Sequence, residues 1–401
     1  MVFYAILGFA CIGSLGLIVG YGVKPLAGIL FIIATCVQRW NFAVMYVDDG
    51  IMHLLLFWLI LLPVGKTLLL SEWLNEGKSC LLRWCHTKVP GVVVSCLIGN
   101  ICWIYFFAGV TKLTSPLWRE GLAFYAVLLV PISRMPDFWR PEHLPLLKFV
   151  NYAALIVEIT LPFFLLSPKG SLWKWVGLVF QILFNLGIVL TFKIPFANFA
   201  LLASPVLFFR EELMEVISRR CGRCELGQSS RIQVSFILAI VLVVLVCMST
   251  WRRVPVLKNA GLPVTKALWT IGIAQDYRLF DWIDRMNYHV DQEFIFYPLG
   301  GITPERVDPN TVIPRTVRHS LVQARIYDIY WLLPIPDRLK GELERDTRSR
   351  IKNHVCRRIK RDGRVVIKTV IHRVTSDNIG LTKRPRIDIM GFWCLKGKPV
   401  R

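Results

Sequence analysis

Charge is scarce in this chain, and acidic charge scarcest. Only 19% of residues are Asp, Glu, Lys or Arg, where a soluble globular domain carries about a quarter, so an ordinary soluble domain is excluded. The chain has no Gly-rich phosphate loop, nucleophile elbow, internal repeat or low-complexity tract. ATP use and serine hydrolysis therefore have no motif to rest on. No basic residue precedes the first apolar run, MVFYAILGFACIGSLGLIVGYGV. That argues against a cleaved signal peptide and for a first spanning helix. The 11 cysteines among 401 residues are too sparse for a dense disulfide framework. Cys11, Cys36, Cys96, Cys102 and Cys247 lie in apolar runs and read as small packing residues. Cys221 and Cys224 form a C-x-x-C in a polar loop, a spacing that suits a metal or a disulfide, and Cys80 and Cys85 lie in another loop. No second ligand pair at zinc spacing accompanies them, so no metal is expected.

What is present is apolar length. The chain is 54% hydrophobic with a mean hydropathy of +0.50, the balance of a multi-pass membrane protein. Runs suited to full spans are Val2–Val23, Ile51–Leu70, Gly91–Val110, Phe149–Leu166, Leu172–Phe192 and Val234–Met248. Shorter runs at Pro25–Val37, Leu122–Ile132 and Pro195–Phe209 suit tilted or re-entrant helices. The expected fold is an all-α multi-pass membrane helix bundle of about eight transmembrane helices, with a small C-terminal α+β soluble appendage. Residues 1–250 form the transmembrane domain, 251–267 a juxtamembrane linker and 268–401 a basic C-terminal α+β domain.

The net charge of +21 is concentrated late: from Trp251 onward there are 29 Lys and Arg against 15 Asp and Glu. A basic tail beside a bilayer predicts attraction to anionic headgroups; no motif suggests nucleic acid. Within it Leu339, Leu343, Thr347, Ile351, Val355 and Ile359 recur every fourth residue, an apolar stripe on a charged helix. Val365–Val374 is rich in β-branched residues and reads as a strand, as does the run Phe294–Tyr297.

Polar residues inside apolar runs are the candidates for chemistry. Lys112 ends the uncharged run from Gly91. An amine held near hydrocarbon has its charged form disfavoured, which suits a general base; the alternative is a lysine that snorkels to the headgroups. Glu158 falls near mid-span, where an ionised group costs about 2.5–3.5 kcal/mol. It would orient Lys112, donate as a neutral acid, or fix helix packing. Asp49 and His53, four apart, share a helix face as a relay pair, while Asp48 suits an N-cap. Asn100, Asn151, Gln181 and Asn185 are explained by interhelical hydrogen bonds. Trp118 reads as a pocket wall or an interfacial anchor, and Gly121 as a point of close backbone approach or a loop end.

Three stretches also carry a resemblance. They are NICWIYFFAGVTKLTSPLWREGLAFY from Asn100 to Tyr125, RWNFAVMYVDDGIMHLLLFWLILLPVG from Arg39 to Gly65, and Leu155–Pro162 around Glu158. Their order resembles the horizontally transferred transmembrane (HTTM) domain, the membrane part of vitamin K-dependent gamma-carboxylases and their bacterial relatives. The resemblance implies that Lys112 acts as base toward a reduced, vitamin K-like quinone. With O2 this yields a strong base that takes the γ-proton of a substrate glutamate so that CO2 adds. It further implies catalytic support from Glu158 and His53, with Arg39, Asp49, Trp118 and Gly121 toward the cofactor. A protein or peptide substrate and a multi-pass location in a cell membrane, such as the bacterial inner membrane, would follow. His53 departs from the basic residue usual in the family, and the chain lacks the long propeptide-binding domain of the animal enzymes. The rival expectation is a non-enzymatic membrane anchor or maturation scaffold. A transporter has less support, for want of matching broken-helix repeats.

Overall fold

The computed structural model describes residues 2–40, 47–62, 91–130, 133–136, 138–193, 195–221, 234–250, 258–270, 283, 287–301, 303–313, 337–381 and 385–400. The helices in chain order are α1 (Val2–Val19), α2 (Val23–Trp40), α3 (Val47–Leu61), α4 (Gly91–Lys112), α5 (Pro116–Arg119), α6 (Ala123–Leu129), α7 (Leu144–Leu165), α8 (Leu172–Thr191), α9 (Pro195–Ala203), α10 (Pro205–Phe208), α11 (Arg210–Cys221), α12 (Val234–Thr250), α13 (Lys258–Thr270), α14 (Pro309–Val312) and α15 (Asp337–Ile359). The strands are β1 (Tyr288–Pro298), β2 (Glu305–Val307), β3 (Gly363–Arg373), β4 (Arg386–Leu395) and β5 (Lys398–Val400).

Among the described residues three helices are long and apolar enough to cross a membrane: Val92–Lys112, Pro141–Leu165 and Leu172–Thr191. Apolar helices at Tyr4–Val19, Val23–Val37, Ile51–Leu61 and Asn198–Phe208 are shorter. A bundle of eight spans is not supported by these lengths. The run from Leu122 shows why: its helix stops at Leu129, seven residues long, far below the roughly 20 a bilayer requires. The run from Ile51 is helical to Leu61, and its remainder beyond residue 62 lies outside the described residues. Residues Lys258–Thr270 form one helix with Pro263 inside it, which runs across the boundary expected at residue 267 between the linker and the C-terminal domain.

The chain divides into two compact units. The first comprises residues 1–111, 155–189 and 194–279. Its core joins Leu54 and Trp58 of α3, Leu97, Ile101 and Tyr105 of α4, Leu161 of α7, Leu201 of α9, Leu242 of α12 and Leu268 of α13. Its outer surface is apolar too, with Tyr4, Ile12, Ile18, Ile156, Leu172 and Leu183 all well exposed. Large apolar side chains in that density face hydrocarbon rather than water.

The second unit comprises residues 112–154, 190–193 and 280–401. It holds a five-stranded antiparallel sheet in the order β2-β1-β3-β4-β5, with Phe294 opposite Ile367 and Ile367 opposite Met390. The β-branched run Val365–Ile371 forms the central strand, as its composition demands. Alternation sends Phe294, Phe296, Val365, Ile367, Phe392 and Cys394 to one face, where Val355 and Cys356 of α15 cover them. A Cys356–Cys394 disulfide staples that helix to β4, with Cα atoms 5.3 Å apart. On α15, Val355 is buried and Ile351 and Ile359 are partly buried against the sheet, while Leu339, Leu343 and Thr347 have side chains outside the described residues.

Candidate functional site

The second unit contains a compact constellation around Lys112. The lysine is the last residue of α4, and Ser115 N donates to its carbonyl at 3.0 Å, so the chain turns at once. Ser115 caps the next turn: its Oγ accepts from Trp118 N at 3.3 Å, and Pro116 occupies the first helical position, where a missing N–H costs nothing. This short turn carries Trp118 back over the lysine. Nζ of Lys112 lies 4.9 Å from the Trp118 ring centroid, within range of attraction between an ammonium and the π face. Both side chains are 2% exposed, so Lys112 does not extend to the surface as a snorkelling lysine would.

The turn is held from α7. Asn151 Nδ2 donates to the Trp118 carbonyl at 2.9 Å, and Asn151 Oδ1 accepts from Phe124 N at 3.1 Å. One fully buried amide thus satisfies a loose carbonyl on one side and the start of α6 on the other. Tyr152 Oη donates to the Arg119 carbonyl at 2.9 Å. Between them Gly121 adopts φ +76°, and a Cβ there would stand 3.0 Å from Lys148 Cγ and 3.1 Å from Tyr152 Oη. Gly121 therefore serves backbone conformation and close packing; its neighbouring space is already filled by protein.

The remaining predicted residues are described by their own surroundings. Glu158, 1% exposed, and His53, 2% exposed, belong to the first unit. Glu158 sits where α7 crosses α4 at Gly109, whose added Cβ would come within 3.1 Å of Glu158 Cβ and 2.7 Å of Ile159 Cγ1. It lies in electrostatic range of Tyr105. His53 packs its ring 5.7 Å from that of Phe31, in the contact between α2 and α3. Arg39 and Asp49 occupy α2 and α3, but their side chains, like that of Asp48, lie outside the described residues, as do Cys80, Cys85 and Cys224. The structure brings Lys112, Trp118 and Gly121 together in the second unit, while His53 and Glu158 belong to the first.

Two polar features of the first unit add to the sequence reading. Gln181 Nε2 donates to Leu201 O at 3.0 Å and Ser204 Oγ at 2.6 Å, and Asn185 Nδ2 donates to Tyr105 Oη at 2.8 Å. These join α8 to α9 and α4, the interhelical role expected of amides in spans. The second feature was not anticipated: Lys174 Nζ pairs with Glu212 Oε1 at 2.7 Å and lies 5.0 Å from the Phe209 ring centroid. Burial pushes the Glu212 carboxyl up, but the bond from Lys174, its own backbone bond and the Lys174 and Lys169 charges outweigh it, leaving it below the usual carboxylate range. Among the described residues no group of three His, Cys, Asp or Glu could hold a metal ion. Asn151 was visible in sequence as a polar residue within a span, but its two backbone partners, 33 and 27 positions away, left no local signal.

Comparison with protein families, with curated proteins and with solved structures found no match.

Proposed function

We propose that this chain is a multi-pass membrane enzyme in which Lys112 acts as a general base toward a reduced quinone, in a reaction of the vitamin K-dependent carboxylase type. The observation that carries the reading is the burial of Lys112 against Trp118 on a turn pinned by Asn151. A lysine at the end of a span reaches water easily, so holding it under an indole requires dedicated packing. The residues fit a hydroquinone in part: a primary amine and an aromatic wall are adjacent, whereas Gly121 is occupied by protein contacts. When bound, the reduced quinone with O2 would supply the strong base, and CO2 the new carboxyl group. This chain's own task is narrower. Lys112 Nζ would accept a hydroxyl proton from the bound hydroquinone, and Trp118 would attract the ammonium so formed.

A second reading, a non-enzymatic anchor or scaffold, is favoured by the same contact taken alone. An ammonium over an indole, at a helix C-terminus where cations are stabilised, is also a sound structural clamp. Oxygen uptake with a panel of reduced naphthoquinones separates the two, using wild type, Lys112→Ala and Lys112→Arg in nanodiscs. Arginine keeps the charge and the ring contact but cannot serve as a base near neutral pH. The enzyme reading expects uptake by wild type and a loss of about 10²–10⁴-fold in both variants. Absence of uptake in wild type at saturating quinone sinks it. Wild-type stability in Lys112→Arg but not in Lys112→Ala, with no uptake in any form, is the scaffold outcome.

A further inference from the structure

One face of the C-terminal sheet is covered by α15; the other presents a different chemistry. Along β4, Ile387, Ile389, Gly391, Trp393 and Leu395 alternate with the core-facing Met390, Phe392 and Cys394, and so share the outer face. Val400 of β5 stands opposite Trp393. The five large apolar side chains are between 37% and 64% exposed. Isolated exposed apolar residues need no explanation, but a contiguous row on adjacent strands does.

The row is bordered by cations. By register, Arg364 lies opposite Trp393 and Lys368 opposite Ile389, on the same outer face, while Lys398 lies opposite Leu395. The Arg364 guanidinium reaches over β4: a Cβ on Gly391 would be 3.5 Å from its Nη2. Acidic side chains on this face occur on β1, as Asp291 and Glu293, and Glu293 is paired with Arg306 at 2.9 Å. Among the described side chains, the β3-β4-β5 half of the face therefore combines isoleucine, leucine, valine and tryptophan with three cations and no carboxylate.

We infer that this face docks on an anionic lipid surface, with Trp393, Ile387 and Ile389 entering the interfacial layer and Arg364, Lys368 and Lys398 meeting headgroup phosphates. Tryptophan favours the headgroup level, where its ring is apolar and its N–H finds a polar partner. Basic residues beside such a wedge gain from the negative surface potential. The sheet is joined through the chain to helices long and apolar enough to span a bilayer, so its effective concentration at a membrane is high and weak contacts suffice. A soluble protein partner would have to supply acidic groups around an apolar groove; the bilayer presents both across its whole surface. The inference needs the chain to be membrane-inserted but not the lysine chemistry, so failure of the oxygen-uptake test leaves it standing.

The test uses full-length protein carrying Ile389→Cys, reconstituted in nanodiscs of phosphatidylcholine alone or with about one third phosphatidylglycerol. A membrane-impermeant maleimide is applied, and modification at position 389 is read by mass spectrometry of its peptide. Docking predicts labelling slower by about fivefold or more in anionic discs, the difference vanishing at about 0.5 M salt, where charges are screened beyond about 4 Å. The same difference should vanish when Arg364→Glu and Lys368→Glu are combined, with sheet integrity checked by intact labelling resistance of Cys356 and Cys394. Equal rates in the two lipids overturn the proposal. So does protection that appears in both lipids and scales with protein concentration, which would assign the face to a second copy of this chain.

Discussion

Replacing Asn151 by alanine should unfasten the Trp118 turn, and the cost can be worked from its two bonds. The side chain is fully buried and serves the Trp118 carbonyl at 2.9 Å and the Phe124 N–H at 3.1 Å. Removing it leaves the two backbone groups short of a partner, at about 1–3 kcal/mol apiece where water cannot enter. A total near 3 kcal/mol is expected, or a fall in Tm of roughly 6–12 °C for a cooperative body of 150–250 residues. Tyr152→Phe supplies the internal scale. It removes the bond to the Arg119 carbonyl in the same turn, but Tyr152 is 42% exposed, water can replace the hydroxyl, and the loss should stay below about 1 kcal/mol. Thermal unfolding in nanodiscs followed by tryptophan fluorescence measures both. Equal losses in the two variants, or an Asn151→Ala loss below about 1 kcal/mol, would refute the claim that the buried amide fixes the turn.

The Lys174–Glu212 pair, with side chains 8% and 16% exposed, should respond to Glu212→Gln with a loss of about 3 kcal/mol, since one partner then remains buried and uncompensated. Because the folded-state carboxyl lies below its ordinary value, its contribution is present above the unfolded carboxylate pKa and is lost as pH falls through the folded one; unfolding scans between about pH 6 and pH 3 should show an acid destabilisation that Glu212→Gln lacks. Gly109→Ala should cost about 1–3 kcal/mol by forcing α7 off α4, whereas Gly187→Ala, whose Cβ would meet nothing within 4 Å, should gain up to about 1 kcal/mol; similar changes in the two would disprove the close crossing. Reducing Cys356–Cys394, or replacing both by serine, removes a crosslink between positions 38 apart and should cost the sheet unit about 4 kcal/mol or less, read as a lower Tm under reductant in wild type only.

What the sequence made legible was periodic. The apolar run ending at Lys112 forms α4, and the charged stretch with an apolar stripe forms α15. The β-branched run at Val365 is the middle strand β3, and Phe294–Tyr297 lies inside β1. Apolar length was a poorer guide to spans, because the run at Leu122 ends after seven helical residues and turns. Strand β4 escaped notice: its outward isoleucines and tryptophan read as unpatterned beside Lys383, Arg384 and Arg386, and only pairing with β3 reveals the alternation. The Cys356–Cys394 bridge escaped too, since one cysteine lies on a helix and the other on a strand, and spacing alone says nothing of their approach. At Lys112 the residue type and position were readable, but the indole above it depends on the Ser115 cap and on Asn151, contacts set by folding.

The disulfide and the basic apolar sheet face constrain one another. A structural bridge persists where the surroundings are oxidising, as outside the cytosol, so the Cys356–Cys394 bridge predicts the sheet unit on such a side. The outer face then requires a leaflet on that same side that carries anionic lipid. Both conditions hold together in a bilayer whose non-cytosolic leaflet contains acidic phospholipid, and they conflict where acidic lipid is confined to the cytosolic leaflet. Sealed vesicles decide it. A bulky impermeant thiol reagent should modify Cys356 and Cys394 from the non-cytosolic side after reduction and not before. Modification from the cytosolic side without any reductant would mean that the two thiols are unbridged in the cell. The staple between α15 and β4 would then be absent, and the sheet would be held by its apolar face alone.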